Sequence, residues 1–547
     1  MAYAAARPRG LDLALSIVDA SQFLDPAGVL DAVIRSRGVL LDEFAARARS
    51  AISNPDARLA SLNSQMVAAR QRYATLVWRS LQGGESVPAG VLEEARQQKE
   101  EAEGAVVQRS EAAQDEATRA QIGLEDVRHA LPADSALVSF VRYDRTSFVN
   151  RPSGRVMTMT PSYIAFVTRA DSPDVRVVPL GAAASIERLV DAWRVQAGGR
   201  VIAAGVEPRE AERSYRAAGT ALRIRVWDLL AESLKGASRV FIVPDGALNL
   251  VSFAALPAGN RYLLETGPTV HYLSTERDLV RTASTEGRGL LALGGPAFDT
   301  RATAPAAVAR RSGCGAIGSL RFEDLPGSRT EVQDIARIWG NPTDVFLLSG
   351  RGATKAALTK AIAGRKVVHL ATHGFFLGAE CDPAGVQRTR GVGGIVGPAT
   401  TTPIDNPLLL SGLALAGVNT LPGARQANGI LNAEEIAGLN LQGTEWAVLS
   451  ACDTGLGKIA AGEGVFGLRR AFQIAGVRTI IMSLWSVEDQ STRDWMKALY
   501  TARLSRHLDT PESIRAASIQ VLEQRRRAGR STHPFYWAAF VAAGDWR

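Results

Sequence analysis

The pattern of hydrophobic and polar positions changes near Pro132 and divides the chain into a helical part and an α/β part. Before this point, apolar residues recur at steps of three and four, which is the period of an amphipathic helix. After it, short apolar runs of strand length alternate with longer segments of helical period. Such alternation predicts a largely parallel sheet that is covered by helices on both faces.

The start of the helical part, residues 1–55, predicts two short packed helices separated at Asp25-Pro26. These helices could be the end of a helical repeat array whose earlier members are absent. The chain holds no second copy of a repeat period that would support this interpretation.

Residues 56–131 predict a long antiparallel helical hairpin. Apolar residues follow coiled-coil spacing over 59–82, and a second segment of helical period runs over 91–128. The glycine pair Gly83-Gly84 breaks the helix between them. The hairpin is either a solvated packing spacer or a docking arm for a partner protein.

The α/β part is predicted to consist of two halves, residues 132–285 and residues 286–547. Strand-like runs in the first half are Leu137–Val141, Ser162–Val167, Val175–Leu180 and Arg239–Val243. The second half alternates strands and helices more regularly, and its closing stretch from His533 to Trp546 predicts a core strand.

Two buried strands of the second half end in reactive residues. The run Lys366-Val-Val-His-Leu-Ala leads to His373 and Gly374, and the run Glu445-Trp-Ala-Val-Leu leads to Cys452 and Asp453. Carboxyl ends of parallel strands meet at one edge of a sheet, where α/β proteins place their reactive groups. A thiol becomes a strong nucleophile when a neighbouring imidazole takes its proton or stabilises the thiolate. The sequence therefore predicts His373 and Cys452 as a catalytic pair.

These motifs and several others resemble the CHAT domain, a caspase-like cysteine peptidase family related to separase and often fused to tetratricopeptide repeats. The matching segments include His369–Gly374, Leu449–Gly457, Gly462–Gly464, Leu484–Asp489 and His533–Phe540. The resemblance implies a pseudo-protease first half and an active second half. It also implies that the backbone amides of Gly374 and Cys452 bind the oxyanion.

The segment Trp485-Ser-Val-Glu488-Asp489 is similar to the separase motif whose Asp lines the pocket for the residue before the scissile bond. The resemblance therefore implies cleavage after Arg, or Lys as second choice, with Asp489 and Trp485 in that pocket. A carboxylate pairs bidentately with a guanidinium. Asp453 is a rival carboxylate because it directly follows the nucleophile. Alternatively, Glu488 and Asp489 only cap the following helix.

Charge and cysteine content narrow the functional class. The net charge is +8, but no block of basic residues or nucleic-acid motif accompanies it, which argues against direct nucleic-acid binding. The cysteines Cys314, Cys381 and Cys452 are too few for a disulfide scaffold and fit a reducing compartment. No apolar run is long enough to span a membrane. We expect a cytoplasmic, bacterial protein.

An alternative is a metal site, in which His369 and His373, predicted to share one strand face, would be ligands together with Cys381 or Cys452. No paired-cysteine signature or His-Glu-x-x-His helix supports it, so we expect no metal or cofactor and a packed role for His369. Residues 378–403 are rich in Gly, Pro and Thr and predict an irregular loop that either covers the substrate groove or is plain disorder.

The predicted catalytic pair and the resemblance together predict a cysteine endopeptidase that acts through a thioester. The resemblance implies a protein substrate and activation by a partner or effector, for which the N-terminal helices are a candidate binding region. Two alternatives stay open. One is a non-catalytic interaction scaffold that keeps the peptidase fold, and the other is a cysteine-dependent amidase acting on small substrates.

Overall fold

The structure is a computed structural model. It describes residues 9–20, 24–38, 45, 57–81, 87–107, 121–151, 154–199, 202, 205–280, 286–299, 321–376, 407–419, 429–450, 458–460 and 464–547. The predicted loop at 378–403, with Cys381, lies outside these residues, as does Cys314.

The helices of the described residues are α1 Arg9–Ala20, α2 Pro26–Ser36, α3 Ala57–Leu81, α4 Ala89–Val107, α5 Leu124–Ala130, α6 Ala183–Ala197, α7 Pro208–Val226, α8 Leu263–Thr266, α9 Pro326–Trp339, α10 Lys355–Ala361, α11 Ala433–Ala437, α12 Leu468–Ile474, α13 Asp489–Leu504 and α14 Thr510–Arg527. The strands are β1 Ser135–Arg151, β2 Gly154–Arg169, β3 Val175–Ala182, β4 Arg239–Val243, β5 Pro257–Ala258, β6 Arg261–Tyr262, β7 Thr269–Tyr272, β8 Leu290–Pro296, β9 Val345–Gly350, β10 Val367–Ala371, β11 Gly374–Phe376, β12 Ser411–Ala414, β13 Ile430–Asn432, β14 Trp446–Leu449, β15 Lys458–Ala460, β16 Gly464–Phe466, β17 Thr479–Ser483 and β18 Phe540–Gly544.

Within the described residues, eleven strands form one sheet in the order β3-β2-β1-β4-β7-β18-β17-β14-β10-β8-β9. Most neighbours are parallel, while β1, β2 and β3 pair antiparallel and so do β17 and β18. The sheet continues across the predicted boundary near residue 285, because β18 pairs in parallel with β7 through Ala543 and Tyr272. The predicted fold class, a mostly parallel sheet covered by helices, is confirmed.

The main hydrophobic core lies against this sheet and explains the apolar runs in the sequence. Every residue of β10, β14 and β17 is buried. Strands that are covered on both faces need apolar side chains on both sides, so they show continuous rather than alternating hydrophobicity. The strands that lead to the predicted catalytic residues are therefore among the most deeply buried in the protein.

The N-terminal helices α1, α2 and α5 close a second apolar cluster on the sheet, with buried residues such as Leu15, Leu30 and Val127 packed against Phe241. A buried ion pair joins this layer to the segment after β7, since Arg37 Nη1 lies 2.6 Å from Glu276 Oε1. Residues 9–20 and 24–38 are thus packed as part of the α/β body.

The helical hairpin is antiparallel, as predicted. Arg70 on α3 contacts Glu103 on α4 at 2.8 Å, and Arg72 contacts Gln98 at 2.6 Å, so the two helices run in opposite directions. The second predicted helical segment does not run unbroken to residue 128. Helix α4 is described as far as Val107, residues 108–120 lie outside the described residues, and the chain is not helical at Ile122 and Gly123, so α5 is a separate helix.

The hairpin also packs on the second half of the α/β part. Ala74 and Val77 of α3 are buried against Leu409, and Arg70 and Lys99 lie 3.8 and 3.7 Å from Glu434 of α11. The inner side of the hairpin is therefore a packing surface within the chain.

Strands β1 and β2 extend well beyond the predicted runs and form a long two-stranded arm. Register pairs continue from Ala136 with Arg169 to Arg151 with Gly154. Near the tip, Phe148 and Met157 are paired and exposed, and the polar run Asp144–Ser147 interrupts the apolar pattern of β1.

No helix in the part of the chain that the structure describes is long and apolar enough to cross a membrane.

Candidate active site

The two strands that lead to the predicted catalytic residues are direct neighbours. Strands β10 and β14 are parallel, with Leu370 opposite Leu449, and the Ser450 N–H donates to the Leu370 carbonyl at 3.0 Å. In the sequence, His373 follows Leu370 by three residues and Cys452 follows Leu449 by three residues. Cys452 lies outside the described residues, as does Asp453, so the structure gives no distance between thiol and imidazole.

His373 is partly buried at the carboxyl edge of the sheet, between two aromatic rings. Its ring centroid lies 5.3 Å from that of Phe298 and 5.6 Å from that of Phe322. Its Nε2 lies 2.8 Å from the backbone carbonyl oxygen of Glu323. A carbonyl can only accept, so the neutral imidazole must carry its proton on Nε2 and present Nδ1 as the basic nitrogen.

Burial lowers the pKa of His373 below its ordinary value, because desolvation penalises the imidazolium. The Glu323 carbonyl and the charges of Glu323 and Asp489 act in the opposite direction without reversing the shift. The imidazole is therefore neutral at neutral pH, which is the form that a general base requires.

Gly374 begins β11, which pairs antiparallel with β12. The Ala414 N–H donates to the His373 carbonyl at 2.9 Å, so His373 and Ala414 are a hydrogen-bonded pair. Hydrogen-bonded and non-hydrogen-bonded pairs alternate along an antiparallel ladder, so the next pair, Gly374 and Leu413, is not hydrogen-bonded. The backbone N–H of Gly374 therefore points away from β12. This orientation leaves the amide outside the β-ladder, where it could donate to a bound group.

Asp489 is exposed at the start of α13, and it does not cap its own helix. Its Oδ2 accepts from the Gly327 N–H at 2.9 Å, in the first turn of α9. The Glu488 side chain accepts from no backbone N–H of α13 either, and its Oε2 accepts instead from the Ser491 hydroxyl at 2.6 Å. The charge of Asp489 contributes to the pKa of His373, so this carboxylate lies within electrostatic reach of the imidazole. The alternative in which both carboxylates cap α13 is therefore not what the structure contains.

Trp485 lies in the core rather than at an open surface. It is 5% exposed, its ring meets that of Trp193 edge to face at 5.9 Å, and its Nε1 donates to the Phe535 carbonyl at 3.4 Å. Of the three side chains predicted for substrate binding, Asp489 is exposed near His373, Trp485 is buried, and Asp453 lies outside the described residues. A substrate contact by Trp485 stays a prediction.

His369 is buried, as predicted. Nε2 lies 2.8 Å from Glu331 Oε1 and Nδ1 lies 3.1 Å from the Tyr500 hydroxyl. Among the described residues, no group of His, Cys, Asp or Glu side chains is arranged to hold a metal ion. Both ring nitrogens of His369 are engaged with protein partners.

Sequence reasoning missed Phe298, Phe322 and Glu323, which surround the imidazole. Phe298 follows β8, and the other two lie in an extended segment before α9, so neither position has a periodic pattern. Glu323 binds His373 through its backbone carbonyl. Every residue has this group, so the identity of residue 323 does not predict the contact. Only the fold brings these groups to His373.

Comparison with known proteins places the chain in a family. The family model described as "CHAT domain" matches residues 216–545. Tetratricopeptide repeat protein 28 of Mus musculus is 24% identical over 318 residues, which are 56% of this chain and 12% of that protein. The chain thus matches a small part of that relative's length.

Two solved structures are similar to the chain at low TM-scores. The separase–securin complex of Saccharomyces cerevisiae has a TM-score of 0.44 at 8% identity. The match covers 90% of this chain and 34% of the chain in that structure. The Arg-specific cysteine proteinase gingipain R has a TM-score of 0.34 at 12% identity. The match covers 66% of this chain and 74% of the gingipain chain. Both scores are too low to assign residues. The family match, in contrast, spans more than half of the sequence, and the chain belongs to the CHAT domain family.

Proposed function

We propose that the protein is a cysteine endopeptidase in which Cys452 is the nucleophile and His373 its base. The observation that carries this proposal is the hydrogen bond from His373 Nε2 to the Glu323 carbonyl, because it assigns the proton and leaves Nδ1 basic. The parallel register of β10 and β14 adds support, since both residues follow a matched pair by the same number of positions.

The chemistry follows from these positions. Nδ1 of His373 takes the thiol proton, and the thiolate attacks the scissile carbonyl to form a tetrahedral oxyanion. The N–H of Gly374 donates to that oxygen together with the N–H of Cys452, each contributing on the order of 3 kcal/mol to transition-state stabilisation. The imidazolium then protonates the leaving amine, and water hydrolyses the thioester with His373 again as the base.

For substrate choice, we propose that Asp489 binds an Arg side chain, or Lys, at the residue before the scissile bond. Its exposure at the start of α13 and its electrostatic effect on His373 support this role. A carboxylate held by a backbone N–H keeps its orientation, which favours bidentate pairing with a guanidinium. Asp453 remains the competing carboxylate.

For regulation, we propose that a protein partner binds the outer side of the α3–α4 hairpin. The hairpin contacts Leu409, two residues before β12 begins, and β12 pairs with β11, where Gly374 lies. A partner that shifts the hairpin would therefore act on the strand that carries the oxyanion donor. A Val77→Asp change at this contact should alter peptide turnover while leaving α9 and α13 in place.

A peptide library that varies the residue before the scissile bond tests the proposal. Wild-type protein should cleave after Arg, and Cys452→Ala and His373→Ala should each abolish cleavage. Cleavage that survives Cys452→Ala would contradict the proposal. A folded wild type that cleaves no peptide but hydrolyses small amides through Cys452 would favour the amidase. One that turns over neither would mean either that the activating partner is missing or that the protein is the scaffold.

A further inference from the structure

The segment that binds His373 is held in turn by the side chain of Asn419. Residues 321–325 have no regular secondary structure. The Phe322 N–H donates to Asn419 Oδ1 at 3.0 Å, and Asn419 Nδ2 donates to the Phe322 carbonyl at 2.8 Å. A carboxamide offers one acceptor and one donor group, so this pair of bonds fixes both the side chain and the backbone that it binds.

Asn419 also holds the second aromatic segment. Its backbone N–H donates to the Phe298 carbonyl at 3.0 Å, and Nδ2 lies 3.2 Å from Asp299 Oδ2. An ion pair between Arg321 and Asp299 at 3.0 Å links the two segments again. One residue therefore connects the backbone positions of Phe298 and Phe322.

These are the groups that surround the imidazole of His373. Both phenyl rings pack on it, and Glu323, the residue after Phe322, supplies the carbonyl that binds Nε2 at 2.8 Å. We infer that Asn419 is a positioning residue of the active site, which acts through Phe322 and Glu323 to keep His373 in the tautomer with a basic Nδ1. This inference rests on the proposed function.

The residue type is specific for this role. An aspartate would keep the acceptor for the Phe322 N–H but would place a second acceptor against the Phe322 carbonyl and a charge beside Asp299. An alanine would remove both side-chain bonds. Asn419→Ala and Asn419→Asp should therefore both release the 322–323 segment, while Asn419→Asp keeps nearly the same volume.

The test uses full-length protein with Cys314→Ser and Cys381→Ser, so that Cys452 is the only thiol. The rate of iodoacetamide alkylation is measured by mass from pH 5.5 to 9.5. The parent should react well below the ordinary pKa of a thiol, about 8.5. Asn419→Ala should slow the reaction at pH 6.5 by about 10- to 100-fold, the usual cost of a misplaced catalytic group.

A double-mutant cycle separates this effect from loss of structure. If Asn419 acts through His373, then Asn419→Ala adds nothing in a His373→Ala background. Asn341→Ala is the matched control, because it also removes a hydrogen bond between an Asn side chain and backbone, here from the Thr343 N–H. Asn341 lies before the start of β9, at the amino edge of the parallel strands and away from His373. This substitution should leave the alkylation profile unchanged. If the alanine variant fails to fold, the alkylation rate of Asn419→Asp tests the same effect.

The outcomes distinguish the two claims. Parent-like alkylation of both Asn419 variants, or an additive loss in the His373→Ala background, would overturn the positioning role while leaving the catalytic pair in place. A parent profile of an ordinary thiol that His373→Ala does not change would remove the proposed function and this inference together.

Discussion

His369 Nε2 and Glu331 Oε1 lie 2.8 Å apart in the core, at positions with almost no solvent exposure. A carboxylate accepts, so Nε2 carries a proton, and Nδ1 shares a hydrogen bond of 3.1 Å with the Tyr500 hydroxyl. This network explains why His369, which lies within β10, differs from His373, which lies two residues beyond the end of that strand. His369 has both nitrogens bonded inside the protein, whereas His373 has one bonded to backbone and one basic.

The network should be costly to break. Glu331→Ala leaves the buried His369 N–H without its acceptor, so it should lower the free energy of unfolding by about 2–4 kcal/mol. Urea denaturation measures this effect. Glu523→Ala, which removes an exposed partner of Arg527, should change stability little. Equal effects of the two substitutions would contradict the account of His369.

The carboxylate of Asp489 should affect the pH dependence of activity. It raises the pKa of His373 against the larger effect of burial, so Asp489→Asn should lower that pKa further. The neutral base then persists to more acidic pH, and the acid limb of kcat/KM should move to lower pH. Glu488→Gln, a change of the neighbouring carboxylate, should leave the limb in place. A shift to higher pH would mean that Asp489 does not act on His373.

Gly327 should be required for the position of Asp489. A Cβ at residue 327 would lie 2.0 Å from Asp489 Oδ2, far inside van der Waals contact. Gly327→Ala should therefore displace the carboxylate and reduce the preference for Arg, as Asp489→Asn should. Gly90→Ala, where a Cβ meets nothing within 4 Å, is the control. Peptide selectivity that survives Gly327→Ala but not Asp489→Asn would show that the contact with α9 is dispensable.

Two buried histidines should make stability depend on pH. Burial lowers the pKa of His271 and of His533 to about 4. His271 Nε2 donates to the Gly544 carbonyl at 2.9 Å, and Nδ1 has no partner among the described residues, so protonation would bury an unpaired N–H.

Between pH 6.5 and 4 the unfolded chain therefore binds more protons than the folded protein, and the free energy of unfolding should fall as pH falls. Thermal melts at fixed ionic strength measure this slope. A variant with His271→Gln and His533→Gln should show a flatter dependence in that window, and an unchanged slope would rule these histidines out as its source.

The sequence predicted the parts of the site that depend on local pattern. The buried run of β10 and the glycine after His373 were sufficient to place the histidine at a strand end. The position of Trp485 in the substrate pocket was implied by the resemblance and stays a prediction. Its indole packs against Trp193 of the first half, a contact between distant segments that no local pattern reveals.

Groups that act through the fold could not be predicted. The Glu323 carbonyl and the Asn419 carboxamide lie in irregular segments that meet only after β8 and β12 have assembled. The long β1–β2 arm was missed for a different reason. The polar run Asp144–Ser147 ends the apolar pattern of β1, and the apolar residues beyond it, such as Phe148 and Met157, are exposed.

The central claim is that His373 activates Cys452 in a site that accepts arginine. Its most direct test is the intact mass of the protein after incubation with a peptidyl-arginine acyloxymethyl ketone, in which a thiolate displaces the acyloxy group. We predict one adduct, located on Cys452 by peptide mapping, absent in His373→Ala and weaker with the glutamate analogue of the probe. Labelling that is shared with Cys314 and Cys381, or that persists in His373→Ala, would contradict the claim.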